Sequence, residues 1–140
     1  IINIIGGKSM HNLTFTENQI ETIKNIIEDK DQQKCTVHKS FNTVWIQGET
    51  SDTEFRISFL GNLRLIISRV KFQNQHCGIM STLLEELKGM CLENNVHTIC
   101  MQSVETKEMI NFCIKQQFKP DPYCTFDYDG DIYGDYLLTV

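Results

Sequence analysis

The sequence predicts a single α/β domain with an α+β layout: a mixed, mostly antiparallel sheet flanked by helices on both faces. Three observations predict it. Three strand-like runs follow one another between residues 43 and 70, as in an antiparallel meander. The hydrophobic period then switches from two to 3.6 at Gly78. A near-continuous apolar run at 96–102 comes next, as expected of a strand buried beside a parallel neighbour.

Taken in order, residues 11–15 alternate and suit a short first strand. Thr16-Glu17-Asn18-Gln19 reads as a capping box that opens a helix reaching about Asp29. Ile20, Ile23, Ile26 and Ile27 form its apolar face. Residues 29–40 are polar and aperiodic, and read as a loop with room for a second short helix. Strands are expected at 43–47, 54–60 and 63–70, with Phe55, Ile57 and Phe59 on one side and a tight turn at Gly61-Asn62. A helix follows from Gly78 to Asn94, with Ile79, Leu83, Leu84, Leu87 and Cys91 along one stripe. A second amphipathic helix at 106–116 turns Met109, Phe112 and Cys113 inward. Pro120 and Pro122 read as a turn, 135–140 as the last strand, and 123–128 as room for one more.

Totals narrow the function classes. With 140 residues, 41% hydrophobic, the chain supports one cored domain over 1–140. Residues 1–9, ahead of Met10, read as an upstream extension or a cloning remnant. A formal net charge of -5 argues against a nucleic-acid binder and is compatible with a cationic substrate such as an amine. No apolar run approaches the roughly 18 residues that cross a bilayer, and the apolar start at 1–5 lacks a basic leader. Neither a membrane partner nor a signal peptide is expected. The six cysteines contain no C-x-x-C pair, and the four histidines add no ligand spacing. Free thiols, no metal and a cytoplasmic location are the expectation.

The chemistry concentrates at 63–84. A strand enters the polar turn Gln73-Asn74-Gln75-His76-Cys77-Gly78, which opens directly into a helix. Such a turn aims several backbone N–H groups and the positive helix end at one spot, suited to a phosphate or pyrophosphate. Gly78 allows close backbone approach. The chain has neither G-x-x-x-x-G-K-[ST] nor G-x-G-x-x-G after a strand, so nucleoside triphosphate and dinucleotide sites lack support. An ordinary strand–helix connection is the plainer alternative.

Gln75-His76-Cys77-Gly78-Ile79-Met80 resembles the Q/R-x-x-G-x-G/A signature of the GNAT N-acetyltransferase superfamily. Leu83-Leu84 resemble that family's paired apolar helix residues, and the run from Phe112 to Phe118 resembles its F-Y-x-K-x-G-F segment. The resemblance spans residues 63–118 and includes the element order. It implies a GNAT-type acyl-CoA N-acyltransferase fold, with acetyl-CoA as co-substrate and a primary amine attacking the thioester directly in a ternary complex. It implies CoA contacts from Arg69, Val70, Gln75, His76, Cys77, Gly78, Ile79, Met80 and Ser81, with a backbone N–H at Val70 or a neighbour polarising the carbonyl. Thr106 matches a position that contacts the CoA arm, and is equally a helix N-cap.

Three positions depart from the family pattern. Met80 replaces Gly or Ala, Gln117 replaces Gly, and Cys113 stands where many members carry the Tyr that protonates the leaving thiolate. Cys113 is therefore a candidate acid and equally a core residue. Ser103, at a strand end, is a second catalytic candidate, and Glu54 and Glu105 are possible bases. The cluster Asp127-Tyr128-Asp129-Gly130-Asp131 does not match a calcium loop; it reads as a solvated turn, or as an acidic lip that attracts a cationic amine. A non-catalytic acyl-CoA-binding domain and an interaction module without CoA are the rival functions. Homodimerisation is left open.

Overall fold

The computed structural model describes residues 13–75 and 78–140. In chain order the elements are α1 (Glu17–Asp31), β1 (Cys35–Ser40), β2 (Thr43–Gly48), β3 (Glu54–Leu60), β4 (Arg64–Lys71), α2 (Ile79–Glu93), β5 (Thr98–Val104), α3 (Lys107–Lys115), β6 (Lys119–Tyr128) and β7 (Asp131–Thr139). They build one seven-stranded sheet in the order β1-β2-β3-β4-β5-β7-β6. Only β4 and β5 pair in parallel. All other neighbours are antiparallel.

Alternation builds the core. Val44 and Ile46, Phe55, Ile57 and Phe59, and Leu65 and Ile67 share one face of adjacent strands and are buried. Ile20, Ile23 and Ile27 of α1 and Ile79, Leu83, Leu84 and Leu87 of α2 join them in the same cluster. The flanking helices take two positions: α1 and α2 contact each other, while α3 packs on β7 and β5. The capping box forms as expected, with Gln19 N donating to Thr16 Oγ1 at 3.1 Å and Thr16 N to Gln19 Oε1 at 2.9 Å.

Several expectations are corrected. His11 and Asn12 lie outside the described residues, and Leu13 to Phe15 form no strand. Phe15 instead stacks on Phe59, ring centroids 4.5 Å apart. The helix runs on to Asp31, and the stretch expected as a loop holds β1. That strand hid because it is an edge with mostly exposed side chains, joined to β2 by Phe41-Asn42 with Phe41 in the left-handed region (φ 46°). Pro120 and Pro122 fall within β6, an edge strand, and Pro122 lies in a bulge where residues 121–124 face the single residue Asp135. The last strand starts at Asp131, after a two-residue turn in which Asp129 (φ 55°) and Gly130 (φ 87°) both take positive φ. At Gly134 (φ 119°) an added Cβ would collide with the Cys124 carbonyl oxygen and lie 2.9 Å from Thr125 Cα, so only glycine lets β6 close against β7 there.

Cys35, Cys91, Cys100, Cys113 and Cys124 are free thiols. Burial pushes Cys91 to about 11, and burial with Asp135 nearby does the same for Cys100. Burial, then Cys100, takes Cys113 to about 12. Unfolded thiols ionise near 9.0, whereas these three keep their protons in the fold. The stability they contribute is therefore fully present below about pH 9 and declines as pH rises towards 11–12. Urea unfolding midpoints measured from pH 8 upward should fall beyond pH 9, and a flat midpoint would contradict the burial of these thiols.

Candidate functional site

The site begins where strand pairing ends. β4 and β5 pair only at Leu65–Ile99, Ile66–Cys100 and Ile67–Met101. Beyond Ile67 and Met101 both strands continue but no longer bond to each other. A bulge marks each wall. On β4, Ser68 is the extra residue: Arg69 pairs with Arg56 and Ile67 with Ile57. On β5, residues 102–103 face the single residue Asp135, since Met101 pairs with Tyr136 and Val104 with Gly134. Bulges bend and over-twist a strand. Here they lie just past the last shared pair, on the outer side of each strand.

The opening is a cleft of about 260 Å³. Residues 67–71 form one wall and 101–106 the other, with Glu54 and Met109 at its edges. It shares Val70, Lys71, Thr106 and Met109 with a second cleft of about 540 Å³. The second cleft is bounded by Asn74, Gln75 and the first residues of α2, 78–81, and by Phe112 and Lys115 of α3. The two join end to end into one groove.

At the far end of the groove, α2 starts at Gly78 (φ 77°), with no side-chain cap and no acidic residue in its first turn. No acidic residue within that first turn offsets its amides and positive end. A Cβ at Gly78 would meet nothing within 4 Å, so the constraint is the left-handed backbone, not space. Lys71 and Lys115 add positive charge to the walls, against Glu108.

The turn that leads to α2 is anchored from behind. Asp31, fully buried at the end of α1, accepts from Gln73 N at 3.0 Å, from Asn74 N at 2.5 Å and from the Thr53 hydroxyl. Its main-chain oxygen accepts from Asn74 Nδ2 at 3.0 Å. Gln33 reinforces the link by donating to Gln73 Oε1 at 2.7 Å.

At the other end, Glu54 is nearly covered. Its Oε2 accepts from Trp45 Nε1 at 2.7 Å and its Oε1 from Arg69 Nε at 3.2 Å. Ser103 (φ 54°) sits in the β5 bulge and donates its amide to Asp135 Oδ1 at 2.8 Å.

The structure thus brings Arg69, Val70, Gln75, Gly78, Ile79, Met80, Ser81 and Thr106 to one groove, with Ser103, Glu54 and Glu105 on its walls. His76 and Cys77 lie outside the described residues. Thr106 Oγ1 caps α3 by accepting from Met109 N at 3.2 Å, which leaves its own proton to donate. Cys113 is fully buried and lines neither cleft. Residues 123–136 line neither cleft either; Asp127 accepts from Gly130 N within its turn, and Asp131 pairs with Lys107 at 3.5 Å. Asp31 and Lys71 escaped the sequence reading, and Lys115 entered it only as the Lys of the F-Y-x-K-x-G-F resemblance, without a role at the site. Lys71 and Lys115 each end an element that was foreseen, but nothing local marks Asp31 in a polar run as buried.

No family model matches the chain, and no curated protein matches it. Solved structures do. Ard1 from Thermoplasma volcanium superposes with a TM-score of 0.51 at 14% identity, covering 91% of this chain and 95% of that one. This is the GNAT fold. A PaiA N-acetyltransferase from Thermoplasma acidophilum, solved in complex with coenzyme A, matches the GNAT-fold chain at TM-score 0.50 and 13% identity over 90% of this chain and 80% of that one. An IAA acetyltransferase from Bacillus cereus gives 0.50 and 11%, over 89% and 85%. No helix among the described residues is long and apolar enough to cross a membrane, and no described group of three His, Cys, Asp or Glu could hold a metal ion.

Replacing Asp31 by Ala should leave two amides and a hydroxyl without their shared acceptor, at a cost of about 3 kcal/mol in unfolding free energy. Hydrogen exchange at Gln73 N and Asn74 N should rise with it. Unchanged exchange at those amides would show that the turn does not depend on the carboxylate.

Proposed function

We propose that this GNAT-fold domain transfers an acetyl group from acetyl-CoA to a primary amine within a ternary complex. The observation that carries the reading is the continuous groove from the unpaired ends of β4 and β5 to the uncapped start of α2. An extended thioester arm that ends in a pyrophosphate fits that shape and polarity. The amides of the first α2 turn, with Gln75 and Ser81 beside them, hold the pyrophosphate, and Lys71 and Lys115 offset its charge. The 68–71 stretch, which has no β5 partner, offers its backbone to the pantetheine arm as a neighbouring strand would. An N–H at Val70 polarises the thioester carbonyl. Thr106 donates to the same arm from the opposite wall.

The acceptor enters beside Glu54. That carboxylate, fixed by Trp45 and Arg69, takes a proton from the ammonium, directly or through one water. The amine nitrogen forms the new bond to the carbonyl carbon while the carbon–sulfur bond breaks, and the surplus proton on that nitrogen passes to the departing thiolate or to water. A thiolate is a far weaker base than an amide or alkoxide ion, so it leaves near neutral pH without a dedicated acid. This relieves Cys113 of the role and leaves it packing. Tyr136 is unsuited to it as well: it is buried and donates to Ile132 O at 2.7 Å.

A second reading is an acyl-CoA-binding domain without turnover. It is favoured by Met80, half-buried in the groove where the signature has Gly or Ala, and by the lack of a tyrosine in either cleft among the described residues.

Calorimetric titration with acetyl-CoA and with CoA tests the first step. Gly78→Asp should weaken binding about a hundredfold by placing a carboxylate beside the pyrophosphate. Gly78→Asn, equally at ease in the left-handed region, should weaken it far less. A folded parent that binds neither ligand would overturn the proposal. An amine screen then separates the two readings, since the second predicts binding without turnover. In an active enzyme, Glu54→Gln should lower kcat about a hundredfold; an unaltered kcat would remove Glu54 as the base.

A further inference from the structure

Arg56 and Arg69 stand directly opposite each other on β3 and β4. Like charges in that relation repel, and one carboxylate, Glu54, is all that either meets within 4.0 Å among the described residues. Both guanidiniums are nevertheless held in place. Arg69 Nε donates to Glu54 at 3.2 Å. Arg56 Nε donates to Ser68 Oγ at 2.9 Å, and Ser68 Oγ donates back to Arg56 O at 3.3 Å. The Arg56 guanidinium lies over the Trp45 ring, 5.5 Å from its centroid. Trp45 in turn donates to Glu54, so Arg69, Glu54, Trp45, Arg56 and Ser68 form one connected chain of contacts.

Each arginine is thus fixed through Nε, and the terminal nitrogens of both forks meet no acceptor among the described residues. Neighbouring arginines with terminal N–H groups to spare suit a carboxylate. Arg69, Ser68 and Glu54 line the cleft, and Arg56, which does not line it, is bonded to the lining Ser68. The acidic 127–131 turn, by contrast, lines neither cleft.

We infer that the acceptor is an amine that also carries a carboxylate, as an α-amino acid does, and that Arg56 and Arg69 grip this carboxylate beside Glu54. This rests on the acetyl-transfer reading for the direction in which the amine points. The grip also relieves the repulsion between the two arginines, so part of the binding comes from the fold itself. It runs against an acceptor selected by positive charge alone.

The test uses binding rather than turnover. N-acetyl amino acids, the products of such a reaction, are titrated by ligand-observed NMR as free acids and as carboxamides, against the parent, Arg56→Gln and Arg69→Gln. Folding of each variant is checked by thermal unfolding, and Arg56→Lys serves if Arg56→Gln does not fold. The free acids should bind at least about tenfold tighter than the carboxamides, and each Gln variant should erase most of that preference. Equal binding of acid and amide, no binding of either, or a preference that survives Arg56→Gln would overturn the inference. CoA titrated into the same samples keeps the two proposals apart. CoA binding without acid preference sinks only the carboxylate grip. Acid preference without CoA binding keeps the grip and sinks the transferase.

Discussion

The proposed site depends on two parallel strands that part company. β4 and β5 share three residue pairs and then diverge, each with a bulge against its outer neighbour. A strand that loses its partner exposes unsatisfied N–H and C=O groups, normally a cost to be covered. Here the exposed edges lie inside the molecule, between walls set by α2 and α3. An extended ligand with amides of its own is the natural partner for such edges. The bulges are therefore built into the groove, and Ser68 and Ser103 are as much a part of the site as the helix start.

The second dependence is electrostatic and runs through Asp31. A fully buried carboxylate is costly unless its donors are in place. Asp31 has three, from Thr53, Gln73 and Asn74, that tie the end of α1 to the start of β3 and to the turn before α2. The turn proposed to face an anion is thus itself held by the Asp31 carboxylate on its other side. The same economy of fixed charge recurs at the opposite end of the groove, where Glu54 serves Trp45 and Arg69 at once.

Much of this was legible from residues alone. The period switch at Gly78 located α2, and the alternation of Phe55, Ile57 and Phe59 located β3. The polar turn into α2 pointed to an anion, and the structure places Gly78 at that helix start. What escaped was whatever has no local pattern. β1 is an exposed edge strand, so half its signal, the buried face, is missing. β6 accepts two prolines because its outer side has no partner to lose. Cys113 could be read as acid from the family resemblance or as core from its helical spacing, and only the tertiary structure shows that it is fully buried.

The sequence by itself determined the periodicities, and with them the helices, the central strands and the polar turn that opens into α2. These follow from contacts between residues three or four apart in the chain, or from simple alternation. Tertiary structure alone decided where the β4–β5 pairing stops, that Asp31 is buried beneath residues 73–74, and that Arg56 comes to lie opposite Arg69. Those partners are separated by 13 to 43 residues, and register across a sheet is set by the packing of the whole face, which no window of sequence contains.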